Sequence, residues 1–252
     1  MENPGISNPA GSAWAGGMRE VELAGGNASG SVVRVGRTVR KPAGPSADSV
    51  LRYLRHLQGH GIALPEHLGF DERGRQVLEF VPGPLAMKQP KPGPEQLARI
   101  GGMVRAIHDA SGDFAPRRGE VFDSPIAAPG ADLVCHNDLA PWNLVMGERW
   151  VLIDRDAGAP STRLGDLAYA AQAFRAMTRR ISARSSTATR PLPAMIERVG
   201  AMHGLLESSN IRGIEPWGSM YADGHGDHWA AVRAYLQRHR LALSAALERH
   251  YA

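Results

Sequence analysis

Short alternating runs of apolar and polar residues dominate the first third of the chain, and helical spacing dominates the remainder. Val33-Arg34-Val35 and Thr38-Val39-Arg40-Lys41 read as two strands that turn at Gly36. Side chains alternate along a strand, so Val39 and Lys41 share one face and Arg40 takes the other. Ser46 to Gln58 reads as a helix, and Gln76 to Val81 as a strand leading out of this region. Pro82-Gly83-Pro84 then breaks the pattern, and a linker rich in Pro and Lys runs to Pro94. Beyond it, Leu97, Ile100, Val104 and Ile107 mark one face of a helix from Glu95 to Ser111. Trp150-Val151-Leu152-Ile153 is a short apolar strand, and the later chain is mostly helical, with Asp166 placed to cap a helix beginning at Leu167. No segment repeats another.

Composition narrows the class. A chain of 252 residues with 43% hydrophobic and 21% charged content can bury a substantial core as one large domain or two small lobes. No apolar run approaches a membrane span, and Met1 to Gly17 lacks the basic start and apolar core of a secretory signal, reading instead as a flexible arm. One cysteine, Cys135, forms no internal disulfide and is expected to be a small buried residue, which together suggest a cytoplasmic protein. The net charge of +4 is local in origin: six Arg and one Glu lie from Arg175 to Arg198, around the Ser/Thr-rich stretch Ser182 to Thr189. With no interleaved aromatics and no reader motif, this segment reads as a solvated loop, and no nucleic acid is expected as a partner.

The candidate chemistry is concentrated in His136-Asn137-Asp138-Leu139-Ala140-Pro141-Trp142-Asn143, with Asp154 at the end of the next strand. An acceptor hydroxyl needs a carboxylate to orient it and take its proton, which Asp138 can supply. Asn143 and Asp154 offer the hard oxygens that bind Mg²⁺. His136 reads as a structural residue bonded to loop backbone. The H-x-D-x-x-x-x-N run with its later Ile-Asp, and then Gly165-Asp166-Leu167-Ala168-Tyr169, resembles the aminoglycoside phosphotransferase and choline kinase-like family.

That resemblance implies a two-lobed α+β fold of the protein-kinase type: a small antiparallel-sheet lobe at residues 18–84 and a helical lobe at 85–252, after the arm at 1–17. It implies Mg²⁺-dependent transfer of the γ-phosphoryl group of ATP, or of GTP, to a hydroxyl on a small molecule. Gly25-Gly26-Asn27-Ala28-Ser29-Gly30-Ser31-Val32 matches G-x-G-x-x-G-x-V with Asn27 in place of the middle Gly, so Gly25, Asn27 and Gly30 are expected to cover phosphates. Val39 would lie under the adenine and Lys41 would face the α- and β-phosphates, with Arg40 as the ligand if the register slips by one. Backbone groups of Glu79 and Val81 would meet the adenine edge.

One departure stands out. The helix glutamate that should pair with Lys41 falls at Val50, which leaves Asp48 as a substitute, the nucleotide as the sole partner, or no ion pair. Arg155, where an apolar residue is usual, reads as a partner for Asp156 or a ligand for a substrate anion. The short gap from Asp154 to Asp166 has no room for a peptide-docking segment and favours a small acceptor over a protein one. Acids and bases balance at five each beyond Arg198, so no acidic pocket for a polycation is advertised. Pro216, Trp217, Tyr221 and the run His225 to Trp229 could line the acceptor pocket, and His225 with His228 is a weak metal pattern. A nucleotide-binding pseudokinase and an adenylyl-transferring kinase-like protein stay open as alternatives. No membrane and no obligate protein partner is expected.

Overall fold

The computed structural model describes residues 19–23, 32–126, 128, 130–175, 191–241 and 244. The Gly25, Asn27 and Gly30 loop, the arm at 1–17 and residues 176–190 of the Arg-rich segment lie outside them. Five strands form an antiparallel sheet in the order β1-β2-β3-β5-β4: β1 Val21–Glu22, β2 Val33–Val35, β3 Thr38–Lys41, β4 His67–Phe70 and β5 Gln76–Glu79. The β2–β3 turn uses Gly36 at φ 60°, and the register pairs Val39 with Leu78 and Lys41 with Gln76. Helix α1, Ala47–Gly59, leaves this sheet and sends Tyr53 and Leu57 into the main core beside Ile100, Val104 and Ile107 of α2, Pro94–Ser111. The Tyr53 hydroxyl is 2.6 Å from Ser111 Oγ and donates to Val134 O at 3.0 Å, so its polar tip is satisfied in the core.

The remaining strands are short and frame the His136–Asn143 loop and Asp154. β6 Leu133–Cys135 pairs with β9 Ala159–Ser161, and β7 Leu144–Met146 pairs with β8 Trp150–Leu152. Helices α3 Arg163–Arg175, α4 Pro191–Arg212, α5 Trp217–Met220 and α6 Gly226–Arg238 complete the helical part. A second core joins Tyr169 and Ala173 to Leu192, Val199, Leu206, Trp229 and Leu236. Among the described residues no helix is long and apolar enough to cross a membrane.

Asp166 does not cap a helix from its first position, as the sequence suggested. α3 begins earlier, at Arg163, and Thr162 Oγ1 accepts the Gly165 N–H at 3.0 Å. Asp166 therefore lies in the first turn and points inward, where burial leaves it 1% exposed.

The break at Pro82-Gly83-Pro84 is pinned against the β7–β8 hairpin. Met146 N donates to Pro84 O at 2.8 Å, Leu85 bridges Val145, and Val81, Val145 and Val151 form a small core. The approach is close enough to require glycine on both sides. A Cβ on Gly147 would lie 2.2 Å from Pro82 O, and one on Gly83, at φ +141°, 2.7 Å from the Gly147 backbone. Gly147→Ala should therefore lose about 1–3 kcal/mol of stability in urea unfolding. Gly102→Ala, on α2 with nothing within 4 Å of the new methyl, should gain roughly 0.8–1 kcal/mol from helix propensity. Equal effects from the two would refute the steric account.

Candidate active site

β6 delivers the catalytic loop directly. His136 is fully buried; its Nδ1 accepts the Asp138 N–H at 3.3 Å and its Nε2 donates to Ile153 O at 3.1 Å. Burial, reinforced by the Arg155 charge, pushes its pKa down, so the ring is neutral and fixed in one tautomer. That is the structural role expected. Asn137 adopts a left-handed conformation at φ 61°, which Asn tolerates. Four bonds hold it: its N–H to Asp166 Oδ1 at 2.8 Å, its side-chain Nδ2 to Ala157 O at 3.0 Å and Ala159 O at 3.2 Å, and Arg198 donating to its carbonyl at 3.4 Å. Cys135 is buried, and burial pushes its thiol pKa far up, so it is no nucleophile.

This geometry turns the Asp138 carboxylate toward three donors. Tyr169 OH meets Oδ1 at 2.7 Å; Asn143 Nδ2 at 2.7 Å and Trp142 Nε1 at 3.3 Å meet Oδ2. Asn143, on the single turn Pro141–Asn143, also gives Nδ2 to Asp138 O at 3.0 Å. Its amide nitrogen is thus spent on Asp138, and its side-chain oxygen is turned away from that residue. Ile153 N bonds Asn143 O at 2.8 Å, so the β7–β8 ladder carries Asp154 up beside Asn143. Asp154 has φ 55°, an unusual backbone for a non-glycine residue and one found at functional sites.

Lys41 comes from the other sheet, 113 residues away in sequence, and closes the site. Its Nζ lies 2.8 Å from Asp154 Oδ1 and 2.6 Å from Asp156 Oδ2, with the residue 5% exposed. Burial works against the ammonium charge, but the two carboxylates outweigh it and raise the Lys41 pKa. Burial likewise opposes the Asp154 charge, and Lys41 more than compensates, holding its pKa low. Asp48 is exposed on α1 and does not pair with Lys41, so neither it nor the nucleotide alone is the partner. Arg40 is on the opposite face, donating to Thr38 Oγ1 at 2.5 Å with its Nε 3.7 Å from Asp71.

Arg155 does not pair with Asp156. It is 4% exposed, its three guanidinium nitrogens meet no hydrogen-bond partner among the described residues, and its charge is felt by Tyr53 and Asp166. The expected substrate-anion role has no support in so buried a position. Val39 and Val81 are partly and fully buried, respectively. The Glu79 N–H is donated to Glu66 O at 2.8 Å, which leaves at most the Glu79 carbonyl for an adenine edge. His225 and His228 join no cluster of three metal-ligating side chains among the described residues.

Sequence reasoning gave no role to Tyr169, Trp142 or Arg198. Tyr169 is three residues after Asp166 on α3, so helical spacing puts both on the face toward the catalytic loop, which is the signal that could have found it. Arg198 of α4 lies over the Tyr169 ring at 4.7 Å, and Trp229 of α6 stacks near it at 6.4 Å. The fit to a magnesium ion rests on donor chemistry: a carboxylate on Asp154 and an amide oxygen on Asn143, adjacent through one backbone bond, suit a hard cation and no soft one.

No protein-family model matches the chain. The trifolitoxin immunity protein of Rhizobium leguminosarum bv. trifolii is 34% identical over 152 residues, a match covering 56% of each protein, so this chain spans little more than half that relative's length. A choline/ethanolamine kinase family protein from Mesorhizobium loti superposes with a TM-score of 0.58 over 95% of this chain and 96% of that one, at 19% identity. The GDP complex of aminoglycoside 2'-phosphotransferase-IIIa gives 0.56 over 85% and 94%, at 12% identity. The stretch from Asp154 to Asp166 holds only a turn, β9 and the first residues of α3. The chain has the kinase-like α+β fold of the choline kinase and aminoglycoside phosphotransferase structures, a small antiparallel sheet and then a mainly helical part.

Proposed function

We propose that this protein is a Mg²⁺-dependent phosphotransferase that moves the γ-phosphoryl group of ATP, or of GTP, to a hydroxyl of a small molecule. The observation that carries this reading is the convergence of Lys41 from the five-stranded sheet with Asp138, on the loop after β6, and with Asn143 and Asp154 at the ends of the β7–β8 hairpin. In this reading Lys41 and the segment Gly25, Asn27 and Gly30 hold phosphates, while Val39, Val81 and the Glu79 carbonyl flank the base. Asn143 and Asp154 would hold the metal, which neutralises phosphate charge when bound. Asp138 orients the acceptor hydroxyl and takes its proton, so that most of the rate comes from positioning and electrostatics.

The acceptor side is the coarser part. Arg198 stands over Tyr169, whose hydroxyl donates to Asp138, so a positive charge sits close to the base. That disfavours a polycation and supports a neutral, zwitterionic or anionic acceptor. The immunity protein's name ties it to a toxin, which makes a hydroxyl-bearing toxin or antibiotic a reasonable member of the acceptor panel. A pseudokinase reading drew on the missing helix carboxylate; the paired Lys41 weakens that motive.

Asp138→Asn should preserve nucleotide binding and lower turnover by about 10²-fold or more, read as ADP release across a panel of hydroxylated metabolites and antibiotics. A variant that keeps near-full kcat with the true acceptor would sink the base assignment. ATP should raise the melting temperature clearly more in Mg²⁺ than in EDTA, and Asp154→Ala should abolish the difference. If EDTA changes nothing, the metal role is wrong.

Lys41→Met should weaken ATP more than adenosine, because only ATP carries the charge that Lys41 contacts. Arg40→Met should be nearly silent in the same binding assay, given its bond to Thr38. The reverse pattern would mean that Arg40 is the phosphate ligand.

A further inference from the structure

We infer that Asp156 is the positioning residue for Lys41, taking from the β8–β9 turn the part that a helix carboxylate would otherwise play; this rests on the phosphotransfer reading above. Lys41 is 5% exposed, and an ammonium that far from water needs a fixed counter-charge. Two carboxylates meet it, Asp154 at 2.8 Å and Asp156 at 2.6 Å. Asp154 cannot serve Lys41 alone, because its carboxylate is also the hard-oxygen donor beside Asn143, and a bound cation draws on the same oxygens. Asp156 is then the carboxylate left to fix the ammonium.

Helix α1 offers no competitor. Its residue nearest the turn is apolar: Val50 is buried, and its Cγ2 would lie 3.8 Å from a Cβ built on Gly158. Asp48 of the same helix is exposed. The turn itself is held firmly enough to aim a side chain. Gly158 N bonds Arg155 O at 2.9 Å, and Asn137 Nδ2 clamps Ala157 O at 3.0 Å. A methyl at position 158 would lie 2.8 Å from Arg155 O, so the turn has no slack there. Asp156 is thus placed from two sides, by the catalytic loop and by its own turn, and its side chain, 45% exposed, reaches Lys41 from the cleft edge.

The test is a double-mutant cycle with an acceptor-independent companion. With Mg-ATP and an acceptor from the panel, Asp156→Asn should lower kcat about 10-fold with a smaller change in KM for ATP, and Asp156→Glu should recover much of the loss. In the Lys41→Met background, Asp156→Asn should cost nothing further, since a residue acting through Lys41 has no target once the lysine is gone. An additive loss in that background, or recovery by raising Mg²⁺ alone, would overturn the inference in favour of a direct metal role. Without nucleotide or acceptor, acylation of Lys41 by an N-hydroxysuccinimide ester, quantified by mass spectrometry, should quicken at least 3-fold in Asp156→Asn and not in Asp156→Glu. Equal acylation in all three proteins would also overturn it. An inactive Asp138→Asn beside a wild-type-like Asp156→Asn would reject only this inference, whereas no ADP release from the unmutated protein with any acceptor on the panel would reject the phosphotransfer reading itself.

Discussion

Asp166 is buried almost completely, and its burial should favour the neutral acid, yet hydrogen bonds from His108 Nε2 and Asn137 N outweigh that cost and hold its pKa low. The two bonds, both 2.8 Å, tie α2 to α3 and α3 to the catalytic loop. Asn137 holds a left-handed backbone that turns the next residue into the cleft, and the Asp166 carboxylate is one of the groups that fix it there, beside the Ala157 and Ala159 carbonyls. Removing a partner from a buried charge of this kind costs on the order of 3–5 kcal/mol, far more than a surface ion pair. The loop is positioned by the interior of the helical part as well as by its own turn, where Asp138 bonds His136 and Asn143.

A second constraint joins the two sheets. At the hinge, backbone packs on backbone where Gly83 meets Gly147, and across the cleft Lys41 meets Asp154 and Asp156. The first contact is apolar and steric, the second ionic, and they lie at separate points of the same boundary. With the Arg149–Glu79 ion pair and the small core of Val81, Val145 and Val151, they set how far the five-stranded sheet stands from the β7–β8 hairpin.

Much of this was legible in the sequence because it is written locally. The alternation in Thr38 to Lys41 gave the strand faces, and the structure puts Lys41 inward and Arg40 against Thr38 as that alternation requires. The spacing from Asp138 to Asn143 fits one loop, and Asn143 bonds Asp138 within it. What was not legible depends on which distant surface a side chain meets. A carboxylate near a helix start can cap outward or point inward, and the choice for Asp166 was made by His108, 58 residues earlier. The partner of Lys41 was expected on α1 because the family resemblance implies a helix glutamate there, at the position Val50 occupies. The structure puts its partners at Asp154 and Asp156, in the turn between β8 and β9. Arg155 illustrates the remainder: no local rule announces a guanidinium in the core, and nothing among the described residues hydrogen-bonds it.

Tyr169 connects two tasks that many enzymes keep apart. Its hydroxyl donates to the base, while its ring is covered by Arg198 from α4 and stacked near Trp229 from α6. Burial and the neighbouring Asp138 charge raise its pKa well above the ordinary phenol value, so it stays a donor throughout the working pH range. If, as proposed, Asp138 is the base, and if α4 and α6 wall the acceptor site, helices that diversify toward a new substrate would be one ring away from the residue that must stay fixed. Adaptation toward a new acceptor through α4 or α6 would disturb the speed of the chemistry along with the choice of substrate, and a lineage exploring new acceptors here would first have to free its recognition surface from its catalytic base.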